Sequence, residues 1–129
     1  MSNRKLFSII ESPVHPDFSA LYRRMNLEET RLNSMRKAIS ELKNARPDFI
    51  VAEFIYGYSN NYAGVNISNL DVLLFSLQKY APQTRVIVLV DKSEYQFVHK
   101  LNEIFPLHSV LQFPIPESHL EAVLQEYKV

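Results

Sequence analysis

The sequence predicts an α/β fold, a three-layer α/β/α sandwich around a parallel β-sheet. Short apolar, β-branched runs alternate with stretches of about ten residues whose apolar side chains recur at helical spacing. This alternation is typical of right-handed βαβ units, whose strands lie in one sheet covered by helices. The run at 48–54 is almost continuously apolar, which indicates a strand buried on both faces.

Size and composition narrow the class of protein. The chain has 129 residues, and we expect a single domain over 1–129. Its 14 basic and 14 acidic residues balance, so no net field attracts nucleic acid or anionic lipid. The absence of cysteine excludes thiol nucleophiles and cysteine-ligated metals. No apolar run approaches a signal-peptide core or a membrane span. We therefore expect a cytoplasmic protein that binds neither nucleic acid nor membrane.

The predicted strands differ in the strength of their signal. They are residues 6–10, 27–32, 48–54, 85–90 and 109–113. The run RVIVLV at 85–90 is the strongest because it is dominated by β-branched residues. The run LEETRL at 27–32 is ambiguous. Its helix-forming residues favour two extra turns of the following helix, and a short polar edge strand is the alternative.

Five stretches are predicted helices, and three of them carry a candidate N-terminal cap. They are residues 16–24, 34–44, 70–80, 91–104 and 117–127. Ser34 and Asn69 stand where side-chain oxygens cap helices. Asp91 could cap the fourth helix in the same way.

Two strand regions resemble response-regulator receiver domains. Residues 47–53, PDFIVAE, are similar to the family pattern PDLVLLD, and RVIVLV at 85–90 is similar to PVIVLT. The Phe113–Pro114 pair falls where the family has Lys–Pro. The resemblance covers nearly the whole chain and implies a flavodoxin-like, receiver-like fold. Its five-stranded parallel sheet would have the order 2-1-3-4-5, with strand 2 short or poorly formed.

The residues that carry the family's chemistry differ in this chain. The resemblance implies an aspartate nucleophile where Glu53 stands, and an acidic cluster for Mg²⁺ of which only Glu11 is left. Val90 stands in place of a phosphate-binding hydroxyl, and Phe113 in place of a lysine. Losing one stabilising contact of this kind typically costs roughly a hundredfold to a thousandfold in rate. We therefore expect a degenerate receiver, or pseudo-receiver, with no phosphorylation, no enzymatic activity and no cofactor.

The acidic residues at the strand ends allow sharper hypotheses. Glu53 could mimic a phosphorylated aspartate, or be a strand-end carboxylate that caps a helix or meets water. In the implied strand order, Glu11, Glu53 and Asp91 lie at one edge of the sheet. Together they could bind Mg²⁺ or Ca²⁺ or act as an acid/base pair. The alternative is that Asp91 caps a helix and Glu11 faces water.

A long loop rich in tyrosine and asparagine follows the third strand. Such residues combine rigid contact area with adaptable hydrogen bonding, which is typical of recognition surfaces. The alternative is a solvated loop whose tyrosines fold back onto the core. The binding candidates in this loop are Tyr56, Tyr58, Asn60, Asn61 and Tyr62.

The resemblance also implies a surface for partners. Receivers commonly dimerise or bind partners beside strands 4 and 5, so Tyr95, Phe97 and Phe113 are interface candidates. The short basic pair at 36–37 is interpreted as solvated helix surface. The sequence thus predicts a signalling module that binds a protein partner or itself as a homodimer. The alternative is a small-molecule- or metal-binding domain, or a small enzyme, that uses the edge carboxylates.

Overall fold

The computed structural model describes residues 4–11, 16–56 and 68–125. Within these ranges five strands form one sheet in the order β2-β1-β3-β4-β5, and every neighbouring pair is parallel. The order 2-1-3-4-5 is therefore confirmed. The strands are β1 (Arg4–Ile9), β2 (Leu27–Leu32), β3 (Phe49–Glu53), β4 (Arg85–Val90) and β5 (Ser109–Gln112).

No helix in the described part of the chain is both long and apolar enough to cross a membrane.

Helices cover both faces of the sheet. The fourth helix has only a short α-helical centre with a 3₁₀ turn on each side, Lys92–Glu94 and His99–Glu103, instead of the continuous helix predicted over 91–104. The helices are α1 (Ser19–Arg24), α2 (Met35–Leu42), α3 (Asp71–Tyr80), α4 (Tyr95–Val98) and α5 (Glu117–Gln125).

Segment 27–32 is a strand, so the helix favoured by its residue propensities is wrong. It pairs with β1 along its whole length, from Arg4 opposite Leu27 to Ile9 opposite Leu32. Both leucines are buried at its ends. Asn26 turns the chain from α1 into β2 with a φ of 62°, a left-handed conformation that asparagine tolerates better than most residues. Tertiary pairing and burial therefore override helix propensity here.

The core consists of one apolar cluster on each face of the sheet. Alternate residues of β3 serve opposite clusters, as the two-residue period of a strand requires. Ile50 packs with α2, α3 and α4, whereas Val51 packs with α1 and α5. The predicted buried face of α3 is confirmed, since Leu73 and Leu77 are fully buried.

Two of the three predicted helix caps, Ser34 and Asn69, have different outcomes. Ser34 caps α2, because its Oγ accepts a hydrogen bond from the Lys37 backbone N–H at 3.1 Å. The prediction that Asn69 caps α3 is wrong, since no side chain at the N-cap position of α3 makes a capping hydrogen bond. Instead the Ser68 Oγ accepts the Leu70 N–H at 3.0 Å, and Asp71 Oδ1 accepts the Ser68 N–H at 2.9 Å. The amide of Asn69 is engaged elsewhere.

Candidate functional site

The carboxyl ends of the strands form the edge at which open α/β sheets bind ligands. Glu53 ends β3 and is only 5% exposed. Val90 ends β4 and is fully buried. Phe113 directly follows β5, is half-buried and precedes a cis peptide bond to Pro114. An apolar residue therefore ends β4, and another directly follows β5.

One amide side chain ties the ends of β1 and β3 together. Asn69 Nδ2 donates to Glu11 Oε1 at 2.8 Å and to the Glu53 backbone carbonyl at 3.0 Å. Its Oδ1 accepts the Ile55 N–H at 2.8 Å, and the side chain is nearly buried. We call these four residues the Asn69 network. The network uses both N–H donors and the oxygen acceptor of the Asn69 amide. Among side chains, only a carboxamide supplies two such donors and an acceptor together.

The three acids singled out from the sequence are not brought into one group. Among residues 4–11, 16–56 and 68–125, no cluster of three or more acidic or histidine side chains could hold a metal ion. Glu11 bonds to Asn69 instead of facing water alone. Asp91 caps the 3₁₀ turn, as its Oδ2 accepts the Ser93 Oγ–H at 2.6 Å and N–H at 2.9 Å. Glu11, Glu53 and Asp91 therefore form no metal-binding group among the described residues.

The same hydrogen bonds tune the acidity of Asp91. The Ser93 hydroxyl and then its backbone N–H stabilise the carboxylate form, and they hold the pKa of Asp91 below its usual range. Asp91 is exposed, and the lowered pKa reflects its role as the cap of the 3₁₀ turn. The alternative drawn from the sequence, in which Asp91 caps a helix, is therefore confirmed.

An open cleft of about 210 Å³ lies at this edge beside β4. It contains Glu53 and Asp91, and it adds Glu94, which was not among the candidates drawn from the sequence. Glu94 Oε1 accepts the Tyr56 N–H at 3.1 Å. An acid three residues after a capping aspartate is a recognisable signal, because the capping-box pattern places one there. The cleft is lined by Glu53, Phe54, Ile55, Asp91, Ser93, Glu94 and Phe113.

Tyr56 packs over the fourth helix. Its ring stacks on Phe97 with centroids 3.9 Å apart and planes at 12°. Its backbone forms an antiparallel bridge with Ser68, which fixes Tyr56 beside the start of α3. Tyr56 thus combines the two alternatives for the loop, since it packs back on the domain and still exposes 42% of its surface. Four candidates of this loop lie outside the described residues: Tyr58, Asn60, Asn61 and Tyr62.

The three interface candidates are not equally accessible. Tyr95 is 39% exposed, whereas Phe97 and Phe113 are half-buried and pack against the two core clusters. Val72 and Phe75 on α3 are 61% and 56% exposed, and neither was among the candidates drawn from the sequence. Their position off the buried leucine face of α3 is a signal that a helical projection could have detected.

Comparison with known proteins places the chain by its fold. No family model and no curated protein sequence matches it. A receiver domain of a Pseudomonas aeruginosa sensor histidine kinase, solved with magnesium in its active-site cleft, is 12% identical with a TM-score of 0.74, and the match covers 98% of both chains. A receiver domain protein from Methanospirillum hungatei is 8% identical, with a TM-score of 0.71 over 97% of this chain and 93% of that one.

A third structure agrees with these two. The signal receiver domain of an HD domain-containing protein from Pseudomonas fluorescens is 13% identical, with a TM-score of 0.71 over 97% of this chain and 94% of that one. At such low identities the likeness shows the fold alone, and it agrees with the strand order observed here. The chain therefore has the fold of response-regulator receiver domains.

Proposed function

We propose that this domain is a receiver-like signalling module that accepts no phosphoryl group and acts by contact with a protein partner or a second copy. The Asn69 network carries the proposal. One amide nitrogen lies within hydrogen-bond distance of a Glu11 carboxylate oxygen and the Glu53 carbonyl oxygen, the kind of oxygens that hard divalent cations prefer. An N–H donor at this position compensates the negative charge of the Glu11 carboxylate without a metal ion. The cytoplasmic location stays a prediction.

The other edge residues support the same proposal. Phosphoryl transfer relies on groups that are placed to stabilise the transferred phosphate. The Val90 side chain offers no hydrogen-bond donor, and Phe113 offers no positive charge. Glu53 is almost buried at the end of β3, so a phosphoryl donor would reach its carboxylate poorly. Each change alone would slow the reaction, and together they argue against any useful turnover.

Incubation with acetyl phosphate and Mg²⁺, followed by intact-mass measurement, tests the absence of phosphorylation. A receiver domain that retains its aspartate serves as the positive control. We expect no added mass on this chain or on a Glu53→Asp variant, because the nucleophile alone does not restore the missing stabilising groups. A phosphoryl adduct on the wild-type chain that disappears in Glu53→Gln would end the proposal.

Contact with a second copy is the form of the proposal that can be tested without knowing a partner. Sedimentation velocity over a roughly tenfold range of concentration would reveal self-association by mass action. If the Tyr95 surface mediates it, Tyr95→Ser shifts the distribution towards monomer. Val72→Ser is the matched control, because it also removes an exposed apolar side chain, on α3. A monomer at every concentration rejects the homodimer and leaves a different protein as the proposed partner.

A small-molecule site is the second candidate, and the acidic cleft favours it. Glu53, Asp91 and Glu94 all line that cleft, so it suits a cationic ligand better than an anionic one. A thermal-shift screen with small amines tests this candidate. A ligand at a hundredfold excess over its Kd stabilises a fold by about 2.7 kcal/mol. Stabilisation that Asp91→Asn removes would support it, and no response would count against it.

A further inference from the structure

A separate cavity of about 350 Å³ opens on the β2 side of the carboxyl edge. The residues that line it come from the ends of β1 and β2 and from the first turn of α2. This is the edge at which open α/β sheets bind ligands, and the volume lies within the range of small-molecule sites. The lining residues are Ile10, Arg31, Leu32, Asn33 and Lys37.

The polar groups in this lining are cationic or are hydrogen-bond donors. The Arg31 guanidinium contacts Glu29 through Nε at a loose 3.8 Å, and its terminal nitrogens make no hydrogen bond to the described residues. Lys37 Nζ makes one long hydrogen bond, to Asn33 Oδ1 at 3.3 Å. That bond occupies the amide oxygen of Asn33 and leaves its amide nitrogen as a donor. No described acidic residue lines the cavity.

We infer that this cavity binds the phosphate group of a small soluble molecule. A guanidinium can grip two phosphate oxygens at once, and an ammonium adds a point charge. Two positive charges match a phosphate monoester, which carries a charge of about −1.5 to −2 at neutral pH. Ile10 and Leu32 supply an apolar wall for the rest of such a molecule. The inference goes beyond the proposed function, because it uses neither Glu53 nor the acidic cleft.

Local sequence does not reveal this site. The basic pair at 36–37 has the pattern of solvated helix surface, and nothing in its spacing connects it to Arg31 at the end of an edge strand. Only the pairing of β2 with β1 and the turn into α2 place Lys37 and Arg31 on the same cavity.

The test is an amide NMR titration of the ¹⁵N-labelled full chain with pyrophosphate and, separately, with adenosine monophosphate. Ionic strength is held constant with sodium chloride, so general screening does not change. We expect saturable shifts centred on Ile10 and residues 31–37. The double variant Arg31→Gln/Lys37→Gln should weaken binding by about a hundredfold, since each charged contact contributes about tenfold. Arg31→Lys, which keeps the charge and loses the two-pronged geometry, should weaken it by about tenfold.

The control is the double variant Arg23→Gln/Lys100→Gln. It removes the same charge from two exposed side chains outside the cavity, and it should bind both probes as the wild type does. No saturable shift with either probe up to about 10 mM, a range in which weak sites fill, overturns the inference. Shifts spread over exposed basic residues and reduced equally in both double variants indicate general charge attraction, and they overturn it too.

Discussion

Replacing Asn69 with alanine removes the side chain that joins the end of β1 to the end of β3. Its amide nitrogen reaches Glu11 Oε1 at 2.8 Å and the Glu53 carbonyl at 3.0 Å, and its oxygen receives the Ile55 N–H at 2.8 Å. The side chain is only 6% exposed. Alanine would therefore leave the Ile55 amide without this acceptor in a place that water enters poorly, and such groups are costly.

The size of the effect follows from the three bonds. A neutral hydrogen bond contributes roughly 0.5–1.5 kcal/mol to stability, and one to a charged group roughly 1.5–3 kcal/mol. Two neutral bonds and one bond to the Glu11 carboxylate therefore amount to roughly 2.5–6 kcal/mol. Glu11 is half-buried and can recruit water, so we expect a loss near the lower end, about 3 kcal/mol. Small domains have about 5–15 kcal/mol of stability, so the variant should still fold.

Urea unfolding followed by circular dichroism measures this loss as a change in the free energy of unfolding at an unchanged m-value. Asn44→Ala is the matched control, because it removes an exposed asparagine and should change stability by less than about 0.5 kcal/mol. A loss below about 1 kcal/mol in Asn69→Ala would refute the reasoning, since it would mean that the network adds little beyond what water supplies.

Three further predictions follow from the same contacts. Asn69→Asp replaces the amide donor with an oxygen beside the Glu11 carboxylate, so this variant should have a lower free energy of unfolding than the wild type. Mg²⁺ or Ca²⁺ should restore part of that free energy in the variant and leave urea unfolding of the wild type unchanged. The Tyr22 hydroxyl is buried without a hydrogen-bond partner among the described residues, and burial raises its pKa far above the usual range. Tyr22→Phe should therefore leave the free energy of unfolding in urea unchanged or raise it by about 1 kcal/mol. Ser93→Ala should raise the pKa of Asp91 towards its usual value, read by NMR titration of the carboxyl carbon, because the Ser93 hydroxyl is the main cause of its lowering; no change would contradict that cause.

Much of this protein was predictable from local sequence. The apolar runs of β3 and β4 and the leucine spacing of α3 predicted these elements, because burial imposes a period of two or 3.6 residues that neighbours in sequence already display. The Ser34 cap was equally local, since the cap and the N–H that it binds lie three residues apart. The apolar residues Val90 and Phe113 at the strand ends were likewise identifiable from the sequence alone.

Only the tertiary structure decided the rest, because it depends on groups far apart in the chain. Residues 27–32 became a strand through pairing with β1, against their own propensity. Asn69 binds Glu11 across 58 positions of sequence and so could not be distinguished from a helix cap. The three acids form no metal-binding group, because Glu11 bonds to Asn69 and Asp91 bonds to Ser93, although Glu53 and Asp91 line the same cleft. Local periodicity can be read from neighbouring residues in the sequence. The partner of each polar side chain instead depends on the order of the strands and on where the loops between them place the chain.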